Sequence, residues 1–262
     1  MKSNPIGIFD SGIGGTSIWK EIQHLMPNEN CIYLADSKNA PYGEKSHEEI
    51  LRLSVKNTEF LIERKCKLIV VACNTATTNA IDYLRNQYTV PFIGIEPAIK
   101  PAAINSKSKK VGVLATKGTL SSALFYSTSQ NHAKGIEVFE RQGKGLVELI
   151  EEGDLESKSL RLLLNQYVGP MLERGIDYLV LGCTHYPYLI PLLKEMLPPD
   201  VKIIDSGQAV ARQTKSILVK QNLVNDADEI GRHQCYTNGN IEVLERFVLN
   251  AASHVNAEYL DF

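Results

Sequence analysis

Short apolar runs recur along the chain, each separated from the next by a longer stretch whose apolar positions follow a helical period. That alternation admits little besides an α/β fold with a mostly parallel sheet. Strands are predicted at residues 6–9, 31–35, 68–72, 92–95, 111–115, 135–139, 178–182 and 201–204, with helices between them. One helix begins at Ser46, with Glu49 three residues on in the spacing of a capping box and Ile50, Leu51, Val55 and Leu61 at helical spacing. Around residues 98–110 the chain turns polar after Pro97 and Pro101, which predicts a linker between two domains.

The two halves of the chain repeat each other. Ile6-Gly7-Ile8-Phe9 matches Val111-Gly112-Val113-Leu114 at an offset of 105, and Ile95-Glu96 matches Ile204-Asp205 at 109. Between these marks, Leu68-Ile69-Val70-Val71-Ala72-Cys73-Asn74-Thr75 matches Tyr178-Leu179-Val180-Leu181-Gly182-Cys183-Thr184-His185 at 110. Each half therefore carries one cysteine at the carboxyl end of a central strand, where open α/β sheets bind ligands. Two such halves facing each other about an approximate two-fold axis bring Cys73 and Cys183 to one cleft from opposite sides.

Composition narrows the functional classes. With 28 Lys and Arg against 30 Asp and Glu, a formal charge of −2, the chain lacks the field that a nucleic acid requires. No apolar run approaches the length of a bilayer span, and residues 1–5 lead straight into a strand without a signal-peptide pattern, so a cytoplasmic protein without a membrane partner is expected. Five cysteines, at 31, 66, 73, 183 and 235, form no C-x-x-C and have no histidine at zinc spacing, which argues against a disulfide framework and a structural metal. A reducing compartment fits this usage.

Inverting a carbon centre that bears a C–H bond without a redox cofactor needs a base on one face and an acid on the other. Two cysteines can exchange those roles. A free thiol, with a pKa of about 8.5, is only about 3% ionised at neutral pH, so the site must assist it. A helix start after each cysteine, and the neighbouring His185, are expected to favour the thiolate. The amides and hydroxyls of Asn74, Thr75 and Thr184 suit the carboxylates of a small acidic ligand.

A second reading arises at Asp10-Ser11-Gly12-Ile13-Gly14-Gly15-Thr16, where strand, glycine-rich turn, helix and then Asp36 some twenty residues on imitate a dinucleotide fingerprint. The imitation is imperfect. Ser17 stands where the third glycine or alanine is required, and Asp10 at the strand tip repels a pyrophosphate. Plainer roles compete as well: Asp10 as a helix cap, His185 as a polar group at a turn, Tyr42 as packing between Pro41 and Gly43, and Glu151 and Glu152 as a solvated helix face.

Four motifs in this order, Phe9-Asp10-Ser11-Gly12-Ile13-Gly14-Gly15, then Asp36 with Pro41-Tyr42-Gly43, Ala72-Cys73-Asn74-Thr75-Ala76 and Gly182-Cys183-Thr184-His185-Tyr186-Pro187, resemble the glutamate racemases of the aspartate/glutamate racemase superfamily over essentially the whole chain. The resemblance implies two pseudo-symmetric α/β domains, residues 1–97 with 208–262 and residues 98–207, each a mostly parallel sheet flanked by helices, with the active-site cleft between them. It implies cofactor-independent, metal-free racemisation of L- and D-glutamate that supplies D-glutamate for peptidoglycan and cell-wall synthesis, and it admits a homodimer. By position, Cys73 and Cys183 are the proton-transfer groups. Asp10 and His185 assist the two thiols, and a glutamate before the second catalytic strand completes the set. That residue is taken as Glu151 over its neighbour Glu152, although Glu148 stands where the family more often has proline. Substrate contacts fall to Asp10, Ser11, Tyr42, Gly43, Asn74, Thr75, Thr116, Thr184 and His185. An aspartate racemase, a dinucleotide-dependent oxidoreductase and an exported amino-acid binding module are the competing functions.

Overall fold

The computed structural model describes residues 2–123, 125–127 and 135–262. Among the described residues ten strands form two sheets, parallel throughout. The first contains β1 (Ile6–Asp10), β2 (Cys31–Ala35), β3 (Leu68–Val71), β4 (Phe92–Gly94), β9 (His233–Thr237) and β10 (Val255–Tyr259), in the order β10-β9-β2-β1-β3-β4. The second contains β5 (Lys110–Ala115), β6 (Glu137–Gln142), β7 (Tyr178–Gly182) and β8 (Lys202–Ile204), in the order β6-β5-β7-β8. The strand order β2-β1-β3-β4 and the order β6-β5-β7-β8 are the same order, so the sequence repeat is a repeat of topology.

Helices cover both faces of each sheet, as parallel strands require. They are α1 (Thr16–Leu25), α2 (His47–Glu63), α3 (Asn74–Gln87), α4 (Ile99–Asn105), α5 (Lys117–Leu120), α6 (Leu146–Glu151), α7 (Lys158–Glu173), α8 (Ile190–Met196), α9 (Gly207–Lys220) and α10 (Ile241–Val248). Alternate residues of one strand feed different layers. Ile6 and Ile8 of β1 join one hydrophobic cluster with α1, while Phe9 joins another with α2 and α3. The first of these clusters continues without a break through Ile13, Ile150, Tyr186 and Leu189 to Leu114, Leu179 and Leu181 of the second sheet. Among the described residues the two sheets thus share the first core, while the cluster with α2 and α3 belongs to the first sheet and a smaller one lies under α4.

Local departures from the sequence reading have physical causes. The expected linker at 98–110 contains α4, whose Ile99 and Ala102 pack on Val111 and Val113; Pro101 is tolerated because it lies in the first turn, where its missing N–H has no helical partner. The strand expected at 135–139 runs instead from Glu137 to Gln142, after Gly135 turns the chain at φ +75°. It is an edge strand, so Glu140 and Arg141 face solvent and hide its end from an apolar pattern. Strand β10, mostly exposed, was missed for the same reason. At α2, Ser46 Oγ accepts from the Glu49 N–H at 3.2 Å as expected, but the Glu49 side chain pairs with Arg52 instead of returning to the cap.

Candidate active site

In each sheet the strand order reverses beside the first strand of its half, and the loops that leave the carboxyl ends there define the site. Asp10 ends β1, and Ser11 follows it. Cys73, Asn74 and Thr75 follow β3, Thr116 follows β5, and Cys183, Thr184 and His185 follow β7. One cavity is lined by Ser11, Pro41, Tyr42, Gly43, Cys73, Asn74, Thr75, Thr116, Val147, Cys183, Thr184 and His185. The two thiols thus open onto the same space from different sheets. That space is tight, with about 10 Å³ free, the room of one water molecule. A molecule the size of an amino acid requires the walls to part.

Cys73 is the N-cap of α3, and its Sγ accepts from the Ala76 N–H at 3.4 Å. The helix start was expected to favour the thiolate; the surroundings reverse this. Burial pushes the Cys73 thiol up, the Asp10 carboxylate adds to the rise, and the Ala76 N–H and the Ser11 hydroxyl only temper it. Cys73 rests as a thiol. On the other side, Cys183 Sγ lies 3.7 Å from His185 Nδ1, and no α-helix starts directly after it; a 3-10 turn, Tyr186–Leu189, intervenes before α8.

His185 is 1% exposed, and its Nε2 donates to Glu151 Oε1 at 2.5 Å. Burial works against its charged form, yet hydrogen bonding and charge from Cys183 and Glu151 outweigh it and hold the imidazole well above its ordinary range. Asp10, fully buried, is set 4.0 Å from His185 Nδ1. Its Oδ1 accepts from the Thr184 hydroxyl at 3.1 Å, and its Oδ2 accepts from the Gly15 and Gly12 N–H groups at 2.9 and 3.3 Å. Burial raises the Asp10 carboxyl above the usual range, opposed by His185 and by the Gly15 N–H. Asp10 therefore caps the turn before α1, as the plainer reading has it, and also ties the first sheet's loop to the second sheet's.

Of the residues expected to act on or contact the substrate, Asp10 and Glu151 stand behind the cavity wall and do not line it, while the others do. Glu152, one residue past α6, is exposed, as is Glu148. Pro41 and Val147 line the cavity without having been singled out; Val147 reads as ordinary core in an apolar helix pattern. Buried Thr119 was also missed. Its Oγ1 lies 3.0 Å from Thr116 Oγ1 and 3.4 Å from Thr75 Oγ1, and those two hydroxyls meet at 2.8 Å. Its spacing of three from Thr116, whose side chain caps α5, was the available signal.

The Thr75, Thr116 and Thr119 hydroxyls engage one another and that of Thr184 donates to Asp10, so they offer lone pairs more than free donors. Among the described residues, Asn74 Nδ2 is a buried donor at this cavity without a partner. The glycine loop also differs from a phosphate cradle. A Cβ on Gly12 would lie 1.9 Å from Glu151 Oε1, and one on Gly14 would lie 2.2 Å from His185 Nδ1. Side chains from the second sheet fill the space that a pyrophosphate would take, which overturns the dinucleotide reading. Among the described residues no group of three or more His, Cys, Asp and Glu side chains is placed to hold a metal ion, and no helix is long and apolar enough to cross a membrane.

The sequence matches the Asp/Glu/Hydantoin racemase family over residues 14–214. It is 46% identical over 239 residues to the glutamate racemase of Herpetosiphon aurantiacus, spanning 91% of this chain and 94% of that one. Among solved structures, the glutamate racemase of Escherichia coli in complex with L-glutamate and the activator UDP-MurNAc-Ala superposes with a TM-score of 0.86 at 33% identity, covering 98% of each chain. That of Francisella tularensis in complex with D-glutamate gives 0.83 at 30% identity, covering 100% of this chain and 99% of that one.

Proposed function

The chain belongs to the Asp/Glu/Hydantoin racemase family, and we propose that it interconverts L- and D-glutamate by passing the Cα proton between Cys73 and Cys183. One observation carries this reading: two thiols, each after the corresponding strand of its sheet, β3 and β7, line a single tight cavity. In one direction the Cys183 thiolate, beside the His185 imidazolium, takes the proton from Cα, and the Cys73 thiol delivers its own to the opposite face. The products are the inverted amino acid, a Cys73 thiolate and a Cys183 thiol; the reverse direction exchanges these roles, so protons and charge balance without an external oxidant or reductant.

Asn74 Nδ2 and the N–H groups at the start of α3 suit a carboxylate. The lone pairs of the Thr75, Thr116 and Thr184 hydroxyls suit the ammonium. Exclusion of water matters because a carbanion next to a carboxylate is stabilised by fixed donors in a dry site. Asp10, Glu151 and His185 act through the thiols. The same reading takes residues 1–97 with 208–262 and residues 98–207 as the two domains, and the product D-glutamate as a precursor for peptidoglycan. Five free cysteines support a reducing, cytoplasmic setting.

The test is incubation of the purified protein with D-glutamate in deuterated water without added cofactor. Deuterium at Cα together with the L-enantiomer is the expected result. Full racemase activity in Cys73→Ala or Cys183→Ala would overturn the two-base assignment.

A further inference from the structure

Asp36, the acid that completed the imitation of a dinucleotide fingerprint, directly follows β2, and its side chain is fully buried. It does not line the cavity. Its Oδ2 accepts from the Tyr42 hydroxyl at 2.5 Å. Its Oδ1 accepts from Asn238 Nδ2 at 2.6 Å, from Asn39 Nδ2 at 2.8 Å and from Lys56 Nζ at 3.5 Å. The Tyr42 oxygen accepts in turn from Asn57 Nδ2 at 3.1 Å, and Lys56 Nζ donates to the Phe262 carbonyl at 2.8 Å. A carboxylate so surrounded has no capacity left for a ligand. What it holds is a wall of the site.

Tyr42 is 1% exposed and lines the cavity, while its hydroxyl is engaged in this network. Gly43, next in the chain, abuts the second sheet: a Cβ there would lie 2.8 Å from Thr116 Cβ. Thr116 is the residue whose hydroxyl meets that of Thr75 across the cleft. A fixed chain of contacts therefore runs from the Asp36 carboxylate through Tyr42 and Gly43 to the threonines, with one end in the structural network and the other at the ligand space.

We propose that Asp36 is a positioning residue that, by gripping the Tyr42 hydroxyl, sets residues 41–43 as a substrate-binding wall and contributes to substrate affinity without taking part in proton transfer. This rests on the reading of the cavity as the racemase site. Burial and the neighbouring Asp36 charge keep the Tyr42 phenol well above its ordinary range, so it stays a neutral donor in the grip. The grip joins three segments distant in sequence: the loop after β2, helix α2 through Lys56 and Asn57, and the returning chain through Asn238.

The experiment is steady-state racemisation by Tyr42→Phe, Asp36→Asn and the double variant, with thermal melting of each. Removing one charge-assisted hydrogen bond is expected to raise KM for glutamate about tenfold while kcat stays within about twofold, the signature of lost binding shared by ground and transition states. The double variant should be no worse than the more impaired single one, because both break the same link. A fall in kcat at unchanged KM, or additive losses, would overturn the proposal, as would a lowered melting temperature with both constants unchanged. Tyr42→Phe leaves Asp36 with its other partners and decides the matter alone if Asp36→Asn does not fold. Absence of Cα deuterium exchange in the unaltered protein would instead remove the racemase reading itself.

Discussion

Glu151 Oε1 stands 2.5 Å from His185 Nε2 and 2.6 Å from the Ile13 backbone nitrogen, so one carboxylate oxygen fastens the imidazole to the loop after β1. The other ring nitrogen faces Cys183. Thiol, imidazole and carboxylate thus form a line on one side of the cavity, whereas Cys73 has only a hydroxyl and a backbone N–H to help it. The two thiols are chemically alike but unequally supported.

Glu151→Gln should lower the His185 pKa, because it removes a charge that favours the imidazolium. The sign follows from linkage: with a pKa raised in the folded protein, the imidazolium is present at low pH and is lost as pH rises through the folded value. The alkaline limb of the kcat profile is expected to move to lower pH, with kcat down on the order of tenfold to hundredfold. Glu152→Gln, on the exposed neighbour, should leave the profile where it was.

Either cysteine variant should separate exchange from inversion. In Cys73→Ala the remaining base can still remove and return a proton on its own face, so deuterium should enter one enantiomer with retention while racemisation falls at least about a hundredfold. Cys183→Ala should show the mirror behaviour with the other enantiomer. Chiral chromatography with mass detection reads both quantities at once.

Gly14→Ala and Gly12→Ala place a methyl group where His185 and Glu151 now lie. Those side chains must retreat, breaking the Cys183–His185–Glu151 line. Activity is expected to fall at least about tenfold while far-ultraviolet circular dichroism stays that of the parent, since the clash is with side chains and not with the strands.

Asp177 gives a test of stability away from the cavity. Its carboxylate accepts from the Ser106 hydroxyl at 2.6 Å and from the Lys107 and Ser108 N–H groups at 2.6 and 3.0 Å, closing the turn between α4 and β5. Partial burial opposes its charge, but hydrogen bonds from Ser106, Ser108 and Lys107 prevail and hold it down to about 2. A depressed acid contributes stability above its unfolded value near 3.8 that is lost as pH falls towards 2. Asp177→Ala should cost about 1–3 kcal/mol in urea unfolding at neutral pH, and the difference from the parent should shrink in acid.

The central strands were legible because buried parallel strands are continuously apolar, and the glycines, threonines and cysteines at their carboxyl ends break that pattern where ligands bind. Cys73 and Cys183 were found this way. Of the four edge strands, the short apolar β4 and β8 were legible, whereas Glu140 and Arg141 hide the end of β6 and the mostly exposed β10, with Glu258, reads as loop. The acidity of Cys73 was misjudged because a helix start is visible in sequence whereas full burial beside Asp10 is not. The inward face of α2 shows the same limit: Ser54, Asn57 and Thr58 are buried there, polar residues that no hydrophobic period reveals, and Asn57 is the one that reaches Tyr42.

A chamber with space for a lone water exchanges protons with solvent slowly. In the proposed reaction the proton taken from the amino acid ends on one sulfur and the other sulfur is left bare, so the enzyme would leave each conversion in a form that differs from the one that began it. Until sulfur and solvent have exchanged protons, a molecule working in this way would carry a record of which mirror image it last released.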